Sequence, residues 1–94
     1  MSNIDGKLGK SIPVHRLEPR VRNFQEKILI SVGDRQLELA DVAAYIFQQI
    51  DDESSIEWIS ERVSLEYGIP SDMALSDVTE LLVELSAARL IDLS

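Results

Sequence analysis

The chain predicts an α+β domain with helices packed on one face of a small antiparallel sheet. Three observations carry that reading. The longer runs of strand-like alternation lie in the first part of the chain and end at Leu39. Three stretches of helical periodicity follow it without an intervening strand, and strands before helices is the order of an α+β domain. Between Ile28 and Leu39, two alternating runs are separated by Gly33-Asp34, and a two-residue loop with Gly first is the signal of a type II′ hairpin.

The elements follow in order. Residues 1–15 hold Gly6, Gly9, Pro13 and scattered Lys with little periodicity, and read as a flexible N-terminal arm before a domain over 16–94. His15, the only histidine, reads as a surface residue of that arm. Val21–Phe24 is a short first strand after Pro19. In the hairpin, Val32 faces Arg35, Ile30 faces Leu37 and Ile28 faces Leu39. Opposed residues point to one side, so Ile28, Ile30, Val32, Leu37 and Leu39 share a buried face with Arg35 at its turn end. The pair flanking such a turn is hydrogen-bonded and the pattern alternates. Arg35, Leu37 and Leu39 therefore bond to the preceding strand, while Gln36 and Glu38 direct their backbone groups outward. Unless a later strand covers that side, it is a free edge able to accept an added peptide strand.

A first helix from Asp41, or Ala40 before it, to about Ile50 carries Val42, Ala43, Ile46, Phe47 and Ile50 as its inner stripe. Asp51-Asp52-Glu53 forms a solvated corner, too poor in oxygen ligands at set offsets for a metal site. Ser54-Ser55-Ile56-Glu57 has the spacing of a capping box, with Ser54 as N-cap and Glu57 at N3. The second helix runs to about Tyr67, with Ile56, Ile59, Val63 and Tyr67 on one face, and Gly68 is its left-handed stop. Ser71 caps a third helix reaching about Ala88, with Leu75, Val78, Leu82 and Leu85 as its core stripe. Leu90–Leu93 alternates, as a short closing strand or an extended tail.

Composition excludes several classes. The 94 residues make one small domain with 45% hydrophobic residues, a folded composition. Cysteine is absent, so disulfides, thiolate metal sites and a cysteine nucleophile are absent too. No apolar run approaches the roughly 20 residues of a membrane span, and the N-terminus lacks a secretory apolar region, so a cytoplasmic protein without a membrane partner is expected. There is no phosphate-binding glycine loop, no nucleophile elbow and no histidine pair at metal spacing. A chain without catalysis, cofactor or metal is expected.

Charge is uneven. Up to Gln36, seven Lys/Arg stand against four Asp/Glu, a balance of +3; from Leu37 on, two stand against thirteen, a balance of −11. The acidic half is either ordinary solubilising charge or an attraction for a basic peptide. It opposes nucleic acid, because the third helix has Asp72, Asp77, Glu80 and Glu84 and no basic residue before Arg89. A winged-helix DNA-binding module is therefore a lesser alternative, as is a module that pairs with itself through the open edge.

Two surfaces stand out. At 100° per residue, Asp77, Leu81, Glu84 and Ala88 form a strip beside the core stripe of the third helix. It is either a solvated flank or one wall of a groove whose other wall is the Gln36/Glu38 edge. Trp58 points away from the core stripe of the second helix, with Arg62 and Leu65 nearby. That patch either docks a partner or is covered by the N-terminal arm.

A hairpin ending in alternating leucines, then a helix, an Asp turn, a second helix and an Asp-Val-x-x-Leu-Leu-x-x-Leu third helix resembles the pyrroloquinoline-quinone biosynthesis protein D family. The elements are Val21-Arg22, Leu29-Ile30, Leu37-Glu38-Leu39, Ala43, Ile46, Ile50-Asp51, Ile56, Ile59, Tyr67, Asp77-Val78, Leu81-Leu82, Leu85 and Leu90-Ile91. The resemblance covers roughly residues 16–93. Two departures are Ala40-Asp41, where members often have Asn after the leucine, and Asp51-Asp52, where Asp-Gly is typical. The resemblance implies a winged-helix-like fold, a three-stranded antiparallel sheet followed by a three-helix bundle. It implies a recognition element for ribosomally made, modified peptides. Such a protein binds the leader segment of a precursor peptide as an added strand and hands it to a radical-SAM enzyme or a leader peptidase. Quinone-cofactor, lasso-peptide and mycofactocin-type pathways all remain open. Joined to the edge derived above, it places Arg35, Gln36, Leu37 and Glu38 on one side of the peptide and Asp77, Leu81 and Glu84 on the other. Leu81 would give apolar contact, and the two acids would favour Lys or Arg at alternate peptide positions. Trp58, Arg62 and Leu65 are the candidate enzyme-docking patch. A monomer or weak dimer is expected.

Overall fold

The computed structural model describes residues 9–94. Its strands are β1 (Pro13–His15), β2 (Arg20–Phe24), β3 (Lys27–Val32), β4 (Arg35–Leu39) and β5 (Ile91–Leu93). Its helices are α1 (Asp41–Gln48), α2 (Ile56–Tyr67) and α3 (Ser71–Ala87). The architecture is α+β and winged-helix-like, with a three-stranded antiparallel sheet in the order β2–β3–β4 followed by three helices.

The hairpin register is the one the turn dictates, with Val32 opposite Arg35, Ile30 opposite Leu37 and Ile28 opposite Leu39. Gly33 takes a positive φ of 61° while Asp34 does not, as a type II′ turn requires. The β2–β3 turn places Gln25 at φ 57° by the same geometry without glycine. β2 is exposed along its length.

Beneath the sheet lies one apolar core. Ile28, Ile30 and Leu39 meet Ile46 and Phe47 of α1, while Ile56, Ile59 and Val63 of α2 pack along Ala74, Val78 and Leu82 of α3. Ala44 is buried where Val42 and Ala43 were the expected inward residues, and Ala74 is buried where Leu75 is only half-buried. The larger residues of the expected stripes, Ile46, Phe47 and Ile50, Ile56, Ile59 and Val63, and Val78, Leu82 and Leu85, are buried as expected. Tyr67 ends α2 half outside the core, its ring edge-on to Tyr45 at 5.5 Å.

Several expectations are corrected. The arm over 1–15 is not free throughout. Residues 13–15 form β1, paired antiparallel with β5, and Ile12 and Ser94 exchange backbone hydrogen bonds at 3.1 and 3.2 Å. The Ser11 carbonyl accepts from the Ile56 amide at the start of α2 (2.9 Å), and Pro13 is fully buried. The part of the arm over 1–8 lies outside the described residues. The closing segment is a strand because β1 supplies its partner.

The cap of α2 is Ser55, not Ser54: its side chain accepts from the Trp58 amide at 3.2 Å. Ser54 is occupied one step earlier. Its amide and hydroxyl both donate to Asp51, at 2.7 and 3.0 Å, and the Glu53 amide adds a third bond at 3.0 Å. The backbone N–H of Ser54, then that of Glu53, hold the Asp51 carboxyl below the usual carboxylate range. α3 has Pro70 as its N-cap, and Ser71 is its first helical residue without a side-chain cap. Gly68 stops α2 at φ 64°, as expected. Both sequence departures involve the left-handed region. Asp41 has φ 55° and Asp52 has φ 67°, a conformation that short polar side chains tolerate. His15 secures the second: its amide donates to the Asp52 carboxylate at 2.9 Å and its ring nitrogen lies 3.2 Å from the same oxygen.

Candidate functional site

β4 pairs with β3 alone, so among the described residues its other side has no strand partner. With Val32 and Arg35 as the hydrogen-bonded pair at the turn, the outward backbone groups belong to Gln36 and Glu38. This is a free edge of five residues, about 17 Å long at the rise of an antiparallel strand.

Two concavities lie along α3, the first of them at this edge. The first, of about 110 Å³, is at the hairpin end, lined by Ile30, Val32, Arg35, Gln36 and Leu37 and closed by Ala88 and Leu90 at the end of α3. The second, a wider one of about 400 Å³, lies between α1 and α3. Val42, Ala43, Ile46 and Leu81 give its apolar surface, and Asp77, Glu80 and Glu84 its rim. The predicted flank of α3 is thus the wall shared by both, with Ala88 in the first and Asp77, Leu81 and Glu84 in the second.

The candidate residues therefore fall into two groups. Arg35, Gln36 and Leu37 stand at the first concavity; Asp77, Leu81 and Glu84 face α1 across the second. Glu38 lines neither, because its side chain turns to the outer face of the sheet and pairs with Lys27 at 3.2 Å. Its outward backbone is what it contributes to the edge. Leu37, expected in the core, is 38% exposed. At the edge of the sheet it has β3 on one side only, and the concavity it borders leaves its inner face open. Val42 and Ala43, expected in the core, are half-buried and line the second concavity, as does Glu80, which the expected strip does not include. Its position, three residues after Asp77, was the available signal.

On the far side of α2, Trp58 and Leu65 are 52% and 85% exposed. The Arg62 guanidinium lies 5.4 Å from the Trp58 ring centroid and donates to the Gln49 side chain at 3.0 Å. Arg62 thus ties α2 to the end of α1 and fixes the indole. Among the described residues no group of acids and histidines is placed to hold a metal ion, and no helix is long and apolar enough to cross a membrane.

An open sheet edge at β4, bordered by a concavity at the end of a helix, is the geometry that peptide recognition by strand addition uses. More particularly, the chain belongs to the family of coenzyme PQQ synthesis protein D (PqqD), whose model matches residues 26–91. Among curated proteins none matches the chain. Among solved structures, TbiB1 in complex with the TbiA(beta) leader peptide is similar, with a TM-score of 0.77 and 14% identity over 84% of this chain and 94% of that one. The solution structure of the PqqD truncation of Methylobacterium extorquens PqqCD, a stand-alone recognition element for ribosomally synthesised and post-translationally modified peptides, has a TM-score of 0.75. Its identity is 19%, over 89% of this chain and 92% of that one. At these identities the two structures establish the shared fold.

Proposed function

We propose that this chain is a non-catalytic recognition element that binds the leader segment of a ribosomally made precursor peptide by strand addition to β4. It then presents that peptide to a modifying enzyme, a radical-SAM enzyme or a leader peptidase. The observation that carries the reading is the unpaired side of β4 bordered by concavities along α3, in a member of the PqqD family. A structural neighbour that is itself a leader-peptide complex supports it. In this reading Gln36 and Glu38 supply backbone hydrogen bonds, Arg35 and Leu37 the strand-side contacts, and Asp77, Leu81 and Glu84 the helix-side contacts. Trp58, Arg62 and Leu65 form the enzyme-docking patch, on α2 and away from the groove.

The test is to seek a short precursor reading frame beside this gene and to titrate its synthetic leader into the chain by NMR. Saturable shifts are expected at the Gln36 and Glu38 amides, with slowed exchange of both and little change at Leu37, whose amide is already spent on β3. Absence of binding, or shifts confined to the outer face of α2, would refute the proposal.

A further inference from the structure

Resting on the strand-addition reading, the two concavities and the charges around them specify what the added strand must carry. The first is apolar, through Leu37, Ala88 and Leu90, with Arg35 at its turn end. The second is apolar at Leu81, Val42 and Ala43, with three carboxylates on its rim. Among the described residues neither Arg35 nor any of those carboxylates takes part in an ion pair, so all four are free to face a ligand.

Their spacing can be worked out along α3. Ala88 marks the first concavity, and Asp77, Glu80, Leu81 and Glu84 centre the second seven to eight residues earlier, about 11 Å at the helical rise of 1.5 Å per residue. Side chains on one face of a strand recur at about 6.6 Å and again at about 13 Å. For a peptide laid along α3 the nearer match is the second, so two same-face side chains four residues apart would reach both concavities. The same-face residue between them falls against Glu84. The one beyond the second concavity falls against Asp77, and the one before the first falls against Arg35.

We propose that this groove selects an extended peptide whose same-face residues, taken from the hairpin end toward α1, run acidic, apolar, basic, apolar, basic. Apolar contact at the two concavities and charge complementarity at the three positions around them together set register and direction. The intervening residues face outward with Glu38 and Leu29 and are unconstrained by the groove.

The probes are fluorescein-labelled synthetic peptides with Thr at the intervening positions. Two carry the same-face order Glu, Leu, Lys, Leu, Lys, one in each chain direction. A control of identical composition carries Lys, Leu, Glu, Leu, Lys, which puts the acid against Glu84 and a base against Arg35 in either direction. A second control moves one Leu to the adjacent, outward position. Anisotropy titration of the full chain is expected to give one patterned peptide at least roughly tenfold tighter than either control, with shifts at the Gln36 and Glu38 amides. Arg35→Glu is expected to weaken that peptide, and Glu84→Lys to favour the acid-centred control, each by roughly two- to fivefold, the scale of a solvent-exposed pair. Equal affinities for patterned and control peptides, with shifts at the edge, would overturn the pattern and leave strand addition standing. So would edge binding of the natural leader by a chain that takes neither patterned peptide. A chain that binds no peptide at the edge, the leader included, would overturn both readings.

Discussion

Replacing Gln36 with proline separates the free edge from the fold. Gln36 lies opposite Ser31, one step from the hydrogen-bonded pair at the turn, so its N–H points away from β3. Proline there removes a donor that the folded chain does not use, and an edge strand tolerates it on the solvent side. Leu37 is opposite Ile30 in a hydrogen-bonded pair, and Ile30 is fully buried. Leu37→Pro therefore deletes a ladder bond and strands a buried carbonyl. The expected stability costs are within about 1 kcal/mol for Gln36→Pro, from the φ restriction, and about 2–4 kcal/mol for Leu37→Pro. For binding the ranking changes. An added strand takes its bonds from the N–H and C=O groups of Gln36 and Glu38 only. Losing one donor, and leaving the peptide carbonyl opposite it unpaired, costs about 1–3 kcal/mol, or roughly five- to 150-fold in Kd. Urea unfolding measures the first effect, and calorimetric titration of the leader measures the second. A folded Gln36→Pro variant with wild-type affinity would show that the peptide does not use this edge. Equal destabilisation by the two prolines would show the register to be wrong.

Other outcomes follow from the same geometry. Leu81→Ala removes apolar surface from the α1–α3 concavity where the helix is only half-buried; it should weaken leader binding by about 1–2 kcal/mol with a comparable or smaller loss of stability, read by calorimetry and urea unfolding. Gly68→Ala meets no steric obstacle, yet forces a Cβ into the left-handed region at φ 64°, and should cost about 1 kcal/mol or about 4–8 °C in Tm by scanning calorimetry. The Asp51 carboxyl is held low chiefly by the Ser54 amide, so its stabilising contribution is complete above the ordinary carboxylate midpoint and lost as pH falls through the depressed folded value. Asp51→Ala should flatten the acid limb of the stability profile below about pH 4, followed by urea midpoints.

Where local chemistry decides, the structure was legible from residues. The Gly33-Asp34 turn set the register of five cross-strand pairs, and Gly68 stopped its helix where a left-handed residue was needed. Non-local competition was not legible. β1 is three residues without periodicity, and its partner β5 lies at the other end of the chain. The spacing to Glu57 favours Ser54 as the cap in sequence, and Asp51 overrides it by claiming Ser54. The groove was half legible. The α3 strip and the strand edge follow from periodicity, but Val42 and Ala43 look like core in sequence and prove half-buried, lining the concavity between α1 and α3. The exposure of Leu37 has the same origin, since alternation tells which side a residue faces and not whether anything covers that side.

A free edge ordinarily invites self-pairing, and the placement of α3 explains why this one should not. Two copies of β4 joined antiparallel about Leu37 share a two-fold axis normal to the sheet. Both α3 helices then lie on the same side of the joint sheet. Each brings Asp77, Glu80 and Glu84, six carboxylates in all, toward one seam, against the two Arg35 side chains that line the neighbouring concavity. Crossing such a seam means desolvating like charges, and five residues of edge offer too few backbone bonds to offset it. A peptide strand arrives without a second helix and can carry bases to the same carboxylates, so the device that opposes self-pairing favours the ligand. The chain is expected to sediment as a monomer from micromolar to millimolar concentration at low salt. Glu80→Gln with Glu84→Gln, or raised salt, should increase any self-association. A dimer at micromolar concentration that dissociates when Gln36 is replaced by proline would refute this account, because it would show the edge covered by a second copy despite the charge.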